Sequence, residues 1–183
     1  MTEIPTAYIS AVAEEFERPV HHRGALPTNI RASMRRVSPE RWSLRMAELL
    51  PVLVRSGIRV DALDPDAAAR WAVLVHLVAV LSGTSNERAH ADRRRTGAVL
   101  LEAGYSEARL SRLLSARGAA LRIQVGRLAR FLRTRGGLPL DLRPLAELVL
   151  NEGHNEAKAE EARLTIARGY YDAADRAARE DAE

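Results

Sequence analysis

The chain has 183 residues, enough for one ordinary domain or two small helical bundles, and its 46% hydrophobic residues can fill such cores, which excludes disorder throughout. It has no cysteine, which excludes disulfides, thiolate nucleophiles and cysteine-based zinc sites and fits a reducing cytoplasm. The net charge of +4 is unevenly spread: residues 1–17 hold four acids and no base, residues 88–143 hold thirteen arginines against Asp92, Glu102, Glu107 and Asp141, and from Glu152 onward nine acids face five bases.

Ala, Leu, Val and Ile supply most of the apolar side chains and aromatics only 4%, a composition that favours helix. The segment Met1 to Ser10 contains Glu3 and Pro5 and no basic run followed by an apolar one, so it does not read as a secretion signal. A first helix is expected from Pro5 to just before Pro19, with Tyr8, Ile9, Val12 and Phe16 as its inner stripe and Glu14, Glu15 and Glu17 outside. A loop through His21, His22, Gly24 and Pro27 leads to Thr28, the expected N-cap of a short helix. Ile30 and Met34 should point inward from it, leaving Arg31, Arg35 and Arg36 exposed.

Ser38-Pro39 marks the next helix start, with Trp42, Met46, Leu49 and Leu53 on one face and Pro51 ending or kinking the helix. Asp64-Pro65 repeats the signal, and the helix from there to Leu81 is apolar nearly all round, as a central bundle element should be. Its apolar run Trp71–Leu81 is interrupted by His76 and is well short of the ~18 to 20 residues of a membrane span. Ser82 to Arg95 is the longest loop and the expected domain boundary. Beyond it come a short helix from Thr96 to Ala103 closed by Gly104, a helix capped by Ser106 with Leu110, Leu113 and Leu114, and one from Ala119 to Arg135 stopped by Gly136 and Gly137. Asp141 should cap another, and a last, charged helix begins near Asn155. The expected fold is all-α: two small helical bundles of about eight helices, residues 1–84 and 96–183, joined by a basic linker at 85–95.

Projected at 100° per residue, Leu121, Val125, Leu128 and Leu132 form the core stripe of the helix at 119–135, while Arg122, Arg130 and Arg133, flanked by Arg127, fall on the opposite side. Ile123 lies in that basic sector without an evident packing role. A row of guanidinium forks matches phosphate oxygens, and Arg93, Arg94, Arg95 and the Arg35–Arg36 pair add to it. Solvated arginines on a helix face are the commonplace alternative. The histidines His21, His22, His76, His90 and His154 form neither a helical ligand pair nor an HExxH motif, and no nucleophile elbow, dinucleotide or phosphate loop is present. The reading is of a protein with no catalytic residue, no metal and no cofactor.

Gly24, Arg31 and Met34-Arg35-Arg36, then Leu77–Leu81, then Thr96–Arg117, then Leu138–Leu142 and Ile166–Tyr171, form an ordered set that resembles the CasB-type small subunit of the type I-E CRISPR Cascade surveillance complex. Leu142 stands where that family commonly has Trp. The resemblance implies a two-bundle, non-cutting subunit that sits beside the large and backbone subunits with a second copy of itself, away from any membrane. It would support the guide RNA and target DNA heteroduplex and hold the displaced strand without regard to sequence. Carried over by position, Arg35 and Arg36 match the family's basic pair, and Arg112, Arg122, Arg127 and Arg130 fall on its basic helices. Two other readings stand beside it: a helix-turn-helix DNA-binding regulator built on residues 103–114, and a purely structural helical adaptor.

Overall fold

The computed structural model describes residues 8–37, 41–84 and 87–180. Among them the chain forms α1 (Tyr8–Glu17), α2 (Thr28–Arg36), α3 (Met46–Arg55), α4 (Pro65–Leu81), α5 (Thr96–Glu102), α6 (Glu107–Ser115), α7 (Gly118–Thr134), α8 (Arg143–Asn151) and α9 (Glu156–Glu180), with 3-10 turns at Trp42–Arg45 and Val60–Ala62. The fold is all-α, as patterning and composition require. The expected starts at Pro5 and at Ser38-Pro39 lie outside the described residues.

Local chemistry sets several of these boundaries. Asp64 Oδ1 accepts the Ala67 amide at 2.8 Å and Pro65 occupies the first turn, so α4 begins where its capping pair places it. Asn155 Oδ1 does the same for the Lys158 amide at 3.2 Å before α9. Thr28 and Ser106 do not cap by side chain: Thr28 is already the first residue of α2, after Pro27, and the Ser106 hydroxyl makes no cap bond. Pro51 lies inside α3 without ending it.

Helix α4 is buried from Ala67 to Leu81, and it packs against α1, α2, α3, α7 and α8. One continuous set of buried side chains therefore runs from Ile9 to Tyr170. The residues described between 87 and 95 are tied down on both flanks. The Glu17 carboxylate accepts the Ala89 and His90 amides at 2.9 and 3.3 Å, and His90 forms an isolated parallel bridge with Leu140. The Leu142 amide donates to His90 Nδ1 at 3.2 Å, which leaves the ring proton on Nε2, facing Ser10 and Asp92. On the far side α5 and α8 pack along α9, and α5 crosses it where Gly97 meets Gly169; at Gly97 only a hydrogen fits. This packing turns the outer surfaces of α6 and α7 to solvent.

Candidate nucleic-acid interface

The stripe Leu121, Val125, Leu128 and Leu132 of α7 is fully buried against α4, so the helix has one fixed orientation. Its arginines do not share a common fate. Arg122 is 23% exposed and donates to Asp66 Oδ1 on α4 at 3.2 Å. Arg133 is half-buried, ion-paired with Glu87, and reaches the Leu81 carbonyl at 3.5 Å, where it helps satisfy the C-terminal end of α4. Arg127 and Arg130 between them are exposed and make no hydrogen bond or ion pair among the described residues.

The other predicted cations divide in the same way. Arg31, expected on the exposed side of α2, is instead only 3% exposed. Its guanidinium donates to the carbonyls of Leu26 at 3.1 Å, Glu15 at 3.0 Å, Arg18 at 2.6 Å and to that of Phe16. It therefore caps the end of α1, where helix carbonyls lack intrahelical donors. Burial lowers its pKa, partly offset by Glu15. Arg35 donates to Gly83 O at 2.7 Å, and burial together with its neighbours Arg36 and Arg133 lowers its pKa. Arg94 pairs with Glu102, and Arg95 sits 3.4 Å from Asp172. Arg36, Arg93 and Arg112 are exposed and have no acidic partner among the described residues; Arg36 and Arg112 bond only to carbonyls of their own helices.

Three of the acid-free cations, Arg109, Arg112 and Arg127, gather where α6 meets α7. Tyr105, Arg109, Arg112, Gln124, Arg127 and Phe131 line a surface cavity of about 230 Å³. Tyr105 and Phe131 meet edge to face at 5.1 Å between centroids. The guanidiniums of Arg109 and Arg135 lie over the Phe131 ring at 5.0 and 5.5 Å. Arg109 and Arg135 are not among the cations expected from the sequence, nor are Tyr105, Gln124 and Phe131 among the expected site residues. Arg109 and Arg112, three residues apart on α6, share a helix face legible in the sequence. Their meeting with α7 is a property of the packing.

A protein family described as CRISPR-associated protein Cse2 matches residues 30–171, well over half of the chain. The chain belongs to the Cse2 family. Cse2 proteins are non-catalytic subunits of CRISPR Cascade complexes. No curated protein and no solved structure matches the chain. The Cse2 match spans α2 to α9, and so includes every predicted arginine and the whole lining of the α6–α7 cavity. No helix of the described residues is long and apolar enough to cross a membrane.

Proposed function

We propose that this Cse2-family chain is a non-catalytic nucleic-acid-binding subunit of a cytoplasmic, type I-E Cascade-like, RNA-guided complex. It steadies the guide RNA and target DNA heteroduplex and the displaced strand by arginine–phosphate contacts, next to the large and backbone subunits and a second copy of itself. The observation that carries this reading is the exposed, acid-free arginine face of Arg109 and Arg112 on α6 and of Arg127 and Arg130 on α7, whose opposite stripe is locked in the core. Exchange of a DNA duplex for an RNA–DNA heteroduplex is nearly balanced in base-pair energy, so backbone contacts of modest strength can tip it. Each neutralised phosphate releases condensed counterions, which makes such contacts sequence-independent and salt-sensitive.

The test is binding of the full chain to single-stranded DNA, RNA and a heteroduplex over a salt series, with Arg112, Arg127 and Arg130 together replaced by Ala. Exposed arginine and alanine are both good helix formers, so the circular dichroism spectrum should not change. The salt slope should shrink by up to about one unit per lost phosphate contact. An unchanged slope would place the basic surface elsewhere. A single palindromic duplex preferred by ~10³-fold or more would instead favour the helix-turn-helix regulator.

A further inference from the structure

The α6–α7 cavity has more chemistry than backbone binding needs. A surface that only neutralises phosphates requires charge and reach, which Arg127 and Arg130 supply in the open. Here the charges surround two aromatic rings and an amide. The Gln124 side chain and the Tyr105 hydroxyl have no hydrogen-bond partner among the described residues, so both are free to meet a ligand. Phe131 is only partly buried, and its ring is covered by Arg109 and Arg135, flat groups that a planar ligand can replace at similar distance.

We propose that this cavity takes one unpaired nucleotide of a single strand, its base stacked on Phe131 and read at its edge by Gln124, its phosphate held by Arg112 and Arg127. The inference rests on the nucleic-acid reading above and narrows it from duplex backbone to an unstacked base. Three features favour this ligand over an acidic protein segment. The cavity combines an aromatic platform with guanidiniums, the pairing that proteins use to hold single strands, since every base has a stacking face. Its volume of about 230 Å³ lies below the ~300 to 1,000 Å³ of sites that enclose drug-sized ligands, so it suits one unit of a longer chain. Gln124 offers both a donor and an acceptor, as a base edge requires and as a carboxylate or a phosphate does not. A paired base cannot enter without leaving its stack, so the cavity selects the displaced or looped strand over the duplex.

The experiment uses the full chain and short DNA and RNA oligonucleotides of one sequence carrying a single 2-aminopurine, whose fluorescence falls on stacking. Each is offered as a single strand and as a duplex, together with a single strand of equal charge that lacks the central bases. The wild-type chain should quench the single strand, leave the duplex unquenched, and bind the base-free strand at least about 5-fold more weakly, the low end of one base stack. Whichever of DNA or RNA is quenched identifies the strand the cavity takes. Phe131→Leu should abolish quenching and close the gap between natural and base-free strands, while duplex binding and its salt slope stay at the wild-type level. Gln124→Ala, a milder change, should weaken the natural strand alone and serves if Phe131→Leu fails to fold. Equal binding of natural and base-free strands without quenching, but with normal salt dependence, overturns the cavity proposal and leaves the functional one intact; a peptide-binding cavity would give that result. Loss of all salt-dependent binding would overturn both.

Discussion

Arg122 Nη1 on α7 donates to Asp66 Oδ1 on α4 at 3.2 Å, in a carboxylate that also accepts from Arg70 Nε at 2.7 Å and lies 3.3 Å from His154. The Arg122 guanidinium is thus held by an acid within the protein, which it shares with Arg70, whereas Arg127, on the same helix, has no acidic partner among the described residues. Arg127→Ala should lower the salt slope of nucleic-acid binding by about one unit, and Arg122→Ala should leave it within error. Arg122→Ala should also change stability by no more than about 1 kcal/mol, the range of a partly exposed ion pair. Paired filter-binding and thermal-unfolding series on the two variants check both statements, and equal slope losses would refute the distinction.

Arg31→Ala should behave as a core mutation. It removes a donor from each of four carbonyls, three at the end of α1 and that of Leu26 in the loop after it. Stranded carbonyls and a cavity together should lower stability by about 2 to 4 kcal/mol. For a chain of this size that is a fall in melting temperature of roughly 4 to 16 °C. Calorimetry reads the outcome directly; a melting temperature within 1 or 2 °C of wild type, by about the same conversion, would mean that Arg31 is dispensable to the fold.

Gly97→Ala should disrupt the crossing of α5 and α9. A methyl group there would stand 2.1 Å from the Ile166 carbonyl and 2.3 Å from the Tyr170 amide, atoms of a helix backbone that cannot step aside. Overpacking of this kind costs about 1 to 3 kcal/mol or more. Gly104→Ala, where a methyl group meets open space and only the positive φ of 75° opposes it, should cost less. Denaturant midpoints for the two variants should therefore rank Gly97→Ala as the less stable.

His76 gives the protein a pH dependence. Burial lowers its pKa below the ordinary 6.5, Nδ1–H bonding to the Met34 carbonyl at 2.9 Å partly counters this, and the nearby Arg130 lowers it further. The unfolded chain then binds a proton that the folded one refuses, so stability rises with pH between the folded and unfolded values. This contribution is full above about pH 6.5 and declines as the pH falls through the folded pKa. His76→Gln keeps a donor for Met34 but does not titrate, and its melting temperature should fall less than that of wild type between neutral and mildly acidic pH. Parallel pH curves for the two proteins would exclude His76 as the source.

The helical character of the chain, the central place of α4 and the stripe of α7 that enters the core are all legible in the order of residues. Helix period, capping pairs and apolar spacing are set by residues three and four positions apart, and the Asp64-Pro65 start and the Leu121 to Leu132 stripe follow from them alone. The density of arginine between 88 and 143 was equally legible. Which arginines remain available was not. The acid that pairs Arg122 lies 56 residues away, the one that pairs Arg133 lies 46 away, and the carbonyls that enclose Arg31 belong to α1 and the loop that follows it. The cavity likewise needs Tyr105 and Arg109 beside Phe131, a meeting made by the packing of α6 on α7. Charge pairing depends on distances across the fold, about which a one-dimensional period carries no information, so the division between cations that face solvent and cations held by an internal acid follows from the packing of the helices.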